Sequence, residues 1–165
     1  MRAVRLSLGR SLSHMPATGG LKVKFKLLTS AILACCLGAG AVYAAGEVEE
    51  RSQLMKQIGG GMGALGAITK GEKPYDEAAV KQALENISAA AMAFPDKFPA
   101  GSEGGSAAPA IWTNFDDFKA QSLKLGSDAD AALAALPADQ AGVAATMKVI
   151  GASCGTCHQT YRVKK

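Results

Sequence analysis

Histidine is almost missing from this 165-residue chain, which has two, His14 and His158, with four cysteines and one tryptophan. Aromatic residues make up only 5 % of it. No run alternates cleanly between apolar and polar residues, and β-branched residues are thinly spread, which argues against a β-sandwich or barrel. The longest uncharged apolar stretch, residues 27–42, falls short of the roughly 20 residues that a membrane-spanning helix needs.

Acidic residues are absent before Glu47. That first stretch instead carries Lys22, Lys24 and Lys26, then the apolar run 27–42, then Val42-Tyr43-Ala44. A basic start, an apolar middle and small residues at a cut site form a secretory signal, so residues 1–44 are expected to be removed before Ala45. The segment is long for a signal, and a start at Met15 is an alternative. A competing reading takes Ile32-Leu33-Ala34-Cys35 as a lipoprotein box anchoring the chain through Cys35, although Leu33 fits that box poorly.

Cleavage changes the charge balance. Six of the 18 basic residues and none of the 14 acidic ones precede Ala45, which leaves 12 against 14, a net charge of −2. A nucleic-acid or anionic-membrane partner is therefore not expected. Two cysteines, Cys154 and Cys157, remain, too few for a disulfide framework. His158 remains as the one histidine. Residues 45–165 form one domain.

What the chain does have is Cys154-Gly155-Thr156-Cys157-His158. Cys-x-x-Cys-His is the attachment site of a c-type haem: two thioether bonds from the sulfurs, with the imidazole as an axial iron ligand. On a helix, positions three and four apart share a face, so all three side chains meet one flat object. A redox dithiol would open a helix after a strand, and a zinc site would need further Cys or His ligands. One covalently bound haem c per chain is expected. Such haem is attached outside the bacterial cytoplasm, which agrees with the export signal and places the protein in the periplasm.

Helical patterning fills the mature chain. Residues 46–68 carry Arg51, Met55, Ile58, Met62 and Leu65 at steps of four and three. Lys70 to Pro74 break the pattern, and a second helix opens near the N-cap Asp76, with Val80, Leu84, Ile87, Ala91 and Phe94 inside and Pro95 at its end. Residues 94–110 form the longest loop. A third helix follows Pro109, with Ile111, Phe115, Phe118, Leu125, Ala129, Ala132 and Leu136 inside and Gly126 to Asp128 as a dent or division. The fourth, 138–163, places Val143, Met147, Ile150, Cys154, Cys157 and Tyr161 on its inner stripe. These spacings predict an all-α, antiparallel up-down four-helix bundle with its cofactor inside. Met92 and Met147 read as core.

Several of these segments, in order, resemble the cytochrome c′ family. Arg51-Ser52-Gln53-Leu54-Met55 is similar to its first-helix segment, and Lys70 to Asp76 to its interhelical turn. Gly101-Ser102-Glu103-Gly104-Gly105 with Pro109 to Trp112 resembles its long loop. Gly151 to Arg162 resembles its haem segment, with an Arg four residues after the axial His. The resemblance implies a five-coordinate, high-spin iron held by His158, binding of nitric oxide or carbon monoxide, single-electron transfer with a periplasmic redox partner, and homodimers packed through the first two helices. It also implies haem-edge positions for Ser52 and Ser106, although family members often carry charged or amide side chains there.

Arg51, on an otherwise apolar stripe, needs an anionic partner, which a haem propionate would supply. Arg162, one turn beyond His158, is expected over the proximal face. Met55 is expected on the distal face, screening an open sixth position. The alternative is a low-spin His/Met electron carrier in which Met55, or Met62, is the sixth ligand. Trp112 and Tyr161 read as packing beside the haem. With the sole mature histidine and both cysteines committed, no nucleophile–base pair remains, and no enzyme activity is expected.

Overall fold

In the computed structural model the backbone is described for residues 28–164 and the side chains for residues 45–164. The side chains of the expected export signal, 1–44, including the lipoprotein reading at Cys35, lie outside the described residues. Helix α1 spans Leu28–Thr69, α2 Glu77–Ala93, α3 the single turn Ala110–Thr113, α4 Phe115–Ala134 and α5 Gln140–Tyr161, with a 3₁₀ turn over Phe94–Lys97. No helix among the described residues is long and apolar enough to cross a membrane.

Local sequence explains most of the boundaries. Asp76 and Asp139 cap α2 and α5, their carboxylates accepting from the Ala79 and Gly142 amides. Gly71, at φ 73°, takes the left-handed conformation just past α1. Pro95 sits at the start of the 3₁₀ turn, so α2 stops at Ala93 as its position predicts.

Three expectations need correction. Helix α1 begins at Leu28 rather than 46, because nothing in this alanine-rich stretch caps or breaks it. The third helix is not divided at Gly126, which lies inside α4, but at Asn114 (φ −137°, ψ 51°), whose amide reaches Tyr161 Oη at 3.1 Å. Leu136 lies beyond the end of α4, in the turn, while still packing on the core.

Helix α1 packs on α2, α2 on α4, α4 on α5, and α5 on α1, closing a four-helix bundle in chain order. Its core is aliphatic: Leu65, Val80, Leu84, Ile87, Ala129, Val143 and Ile150 are 1 % exposed or less. A second, aromatic cluster of Phe94, Phe98, Ile111, Phe118 and Tyr161 fills the end of the bundle that carries the Cys-x-x-Cys-His motif, and Leu54 and Met55 touch both clusters. Helices α1 and α2 approach closely at Gly61, where an added Cβ would lie 2.8 Å from the Ala83 carbonyl oxygen. Met92 is not core: it is 36 % exposed and lies over Gly126. Met147 is partly buried against the core, its sulfur 3.2 Å from the Thr69 hydroxyl.

The segment from Lys97, the last residue of the 3₁₀ turn, to α3 is stitched at both ends. Arg51 of α1 binds its first half. Near its second end, Ala107 bridges to Arg162, the Ala108 amide donates to the Tyr161 carbonyl, and the Val163 amide donates to the Ser106 carbonyl.

Candidate functional site

A cavity of about 510 Å³ lies between α1, α4, α5 and the stitched segment. That volume is within the range of cofactor pockets. All eight residues singled out from the sequence line it: Arg51, Ser52 and Met55 from α1, Ser106 from the segment, Cys154, Cys157 and His158 from α5, and Arg162 just after α5.

The α5 residues share a face because the helix continues unbroken through them. The two cysteines are partly buried and His158 lies at the rim. While the two sulfurs are still free thiols, burial pushes both up, Cys157 to about 11 with help from Cys154 and Asp117. Burial pulls His158 below its ordinary value, and Arg162 adds to this, which favours the neutral imidazole that can ligate a metal. Beside Cys154, the Ser153 hydroxyl donates to Asp128 of α4 at 2.5 Å, and Lys124 Nζ reaches the same carboxylate at 2.7 Å. That link fixes α5 against α4 next to the motif.

From α1 comes a guanidinium and, one turn on, a thioether. Arg51 is 6 % exposed. Its Nε donates to the Lys97 carbonyl (2.7 Å), and its Nη2 donates to the Ser102 carbonyl (2.6 Å) and hydroxyl. Its Cζ lies 4.3 Å from the Phe98 ring centroid. Burial lowers its pKa, against the raising pull of Glu47 and Glu103, and it stays a cation. Met62, two turns beyond Met55, packs on the aliphatic core and is not among the cavity-lining residues.

Two lining residues carry buried polar atoms without a partner: Arg51 Nη1, a donor, and Gln121 Oε1, an acceptor. An unmet buried guanidinium edge calls for an anion. Two thiols and an imidazole on one helix face, a thioether on another helix, apolar walls of Phe94, Phe98, Ile111, Phe118 and Leu125, and that open edge suit an amphiphilic iron porphyrin with carboxylates. No group of three or more His, Cys, Asp and Glu that could hold a bare metal ion occurs among the described residues.

Sequence reasoning missed Ser102, Gln121 and Asp117. Asp117 accepts from Tyr161 Oη and from Gln121 Nε2, so the buried Tyr161 is a hydrogen-bonding residue as well as packing. Burial and that contact push its phenol up to about 12. Trp112 packs on Phe98 and donates to the Pro99 carbonyl at 3.2 Å, without lining the cavity. Nothing in the periodicity marks Ser102, a loop serine. Gln121 follows Asp117 by one helical turn on α4, a spacing that marks any polar helix face.

A helical bundle that gathers Cys-x-x-Cys-His into such a cavity defines the bundle-type haem c proteins. The chain belongs to the cytochrome c′ family: the family model described as Cytochrome C' matches residues 46–162. It therefore carries covalently bound haem c. It is 70 % identical over 144 residues to cytochrome c-556 of Agrobacterium fabrum strain C58, covering 87 % of this chain and 99 % of that one. Cytochrome c′ from Rhodopseudomonas palustris superposes with a TM-score of 0.68 at 32 % identity, over 72 % of this chain and 97 % of that one. The nitric oxide complex of a mutant cytochrome c prime from Alcaligenes xylosoxidans gives 0.66 at 30 % identity, over 73 % and 97 %.

Proposed function

We propose that the chain is an exported, periplasmic one-electron carrier in which His158 and Met55 are the two axial ligands. The observation that carries this reading is that Met55 lines the same cavity as Cys154, Cys157 and His158, whereas Met62 does not. The sequence alone favours an open sixth position. Met55 over the cavity suits either arrangement, and the 70 % identity to a cytochrome c-556 weighs toward the second axial ligand.

Bound haem c supplies a ferric–ferrous couple. The chain's own residues do the rest. Cys154 and Cys157 hold the group covalently, and the neutral His158 offers a lone pair from α5. Arg51 donates from Nη1 to a carboxylate, with Ser52 and Ser106 at the edge. Arg162 adds positive charge beside His158. The phenyl rings of Phe94, Phe98 and Phe118 exclude water, which limits solvent reorganisation when the charge changes. Two copies pair through α1 and α2, as the family resemblance implies, and Gly59, Gly60 and Gly63 leave that side of α1 open.

A second reading is binding of nitric oxide, and of carbon monoxide, at an open position screened by Met55. It is favoured by the apolar walls and by likeness to a protein solved with nitric oxide. Electron paramagnetic resonance of the ferric protein at neutral pH separates the two. The carrier gives a low-spin signal that Met55→Leu converts to high spin, together with uptake of nitric oxide. A high-spin wild type leaves the gas-binding reading in its place.

A further inference from the structure

We propose that Ser102 is a positioning residue for the haem: it orients Arg51 so that Nη1, and no other part of the guanidinium, faces the group's carboxylate. The proposal rests on the reading of Arg51 as that carboxylate's partner.

A guanidinium has five N–H donors in a rigid fork. Three are consumed here. Nε–H goes to the Lys97 carbonyl, and the two Nη2 hydrogens go to the carbonyl and hydroxyl of Ser102. The remaining two, both on Nη1, are buried and have no partner. The segment thus holds one whole edge of the fork and leaves the opposite corner for the cavity that Arg51 lines.

Ser102 is built for this task. It is fully buried, at 0 % exposure, which is uncommon for a loop serine. Its hydroxyl accepts from Arg51 while donating to the Pro99 carbonyl at 2.7 Å, so the oxygen cannot rotate away. Its amide also donates to the Pro99 carbonyl, at 3.2 Å. Gly101 precedes it at φ 81°, a conformation that favours glycine and turns the Ser102 carbonyl and hydroxyl toward the same nitrogen. Phe98 lies against the flat of the guanidinium and Trp112 stands further out, at 5.5 Å, which restricts tilting of the plane. The charge alone would not need this apparatus, since a lysine would supply it. A fixed fork matters where donor direction matters.

Two nearby carboxylates compete for the same cation. Glu47 and Glu103 both act on Arg51 through space, yet neither is hydrogen-bonded to it. Without the hydroxyl of Ser102, Nη2 is left with one acceptor, and the fork can swing toward either glutamate.

The test is the reduction potential of the holoprotein, measured by spectroelectrochemistry. A cation held near the haem favours the reduced form, which carries one less positive charge. Ser102→Ala should therefore lower the potential, by less than Arg51→Gln does, and Ser102→Thr, which keeps the hydroxyl, should restore the wild-type value. If Arg51→Gln lowers the potential and Ser102→Ala leaves it unchanged, the positioning role is overturned and the reading of Arg51 stands. If neither moves it, the reading of Arg51 itself falls. Should Arg51→Gln fail to fold, Arg51→Lys replaces it: it keeps the charge without the fork, and it should lower the potential about as Ser102→Ala does. A lysine variant at wild-type potential would overturn the proposal, because direction would then be immaterial.

Discussion

At Asp128 a hydroxyl from α5 and an ammonium from its own helix converge on one carboxylate. Burial alone would raise its pKa, but the bonds from Lys124 and Ser153 outweigh it and hold the group below its ordinary value of 3.8. A carboxyl whose folded pKa is depressed contributes stability that is present above the unfolded value and lost as pH falls through the folded one. Asp128→Asn should therefore lower the thermal midpoint at pH 7, and the gap from wild type should shrink by pH 3. Equal gaps at both pH values would dissociate the effect from this carboxylate. Legibility at this scale was uneven. That Cys154, Cys157 and His158 would face one cavity could be read from their spacing on a single helix. Arg51 could be read as a buried cation on an apolar stripe, although the partners the structure gives it are the Lys97 carbonyl and Ser102. Ser102 and Asp128 could not, since their partners lie far off in sequence (51 and 25 residues away) and hydrogen bonds between distant segments leave no periodic trace.

Elements were more legible than their ends. The apolar steps of four and three located every long helix, because each buries one stripe against the bundle core. The break at Asn114 escaped, since the side-chain partner of Asn114 there, Tyr161, lies 47 residues away. The glycines of α1 divide by face in a way composition alone does not show. Gly61 lies against α2, while Gly59, Gly60 and Gly63 look outward. Gly61→Ala would gain about 1 kcal/mol of helix propensity. It would also drive a Cβ into the Ala83 carbonyl oxygen and the Ile87 side chain. Backbone cannot yield as a side-chain tip can, and overpacking costs about 1–3 kcal/mol. The balance should be a net loss, read as a lower urea midpoint for the holoprotein. A midpoint at or above wild type would mean that the two helices part without cost.

On the scale of the molecule, the outward glycines are what the proposed pairing of two copies depends on. Sedimentation equilibrium of the holoprotein should give twice the chain mass. The double variant Gly60→Glu, Gly63→Glu should sediment as a monomer with its absorption spectrum intact, and a surviving dimer would place the contact elsewhere. The bundle and the cofactor were legible because a repeated stripe and one motif pointed to the same interior. The closure of the cavity was not, because it is made by a segment without periodicity. That segment is fastened at Lys97 and Ser102 to α1 and near Ser106 to the last residues of the chain. The tail beyond Tyr161 thus works as a clasp. Cleavage between Tyr161 and Arg162 would touch neither sulfur nor imidazole, yet it would undo one of the two seams that close the cavity.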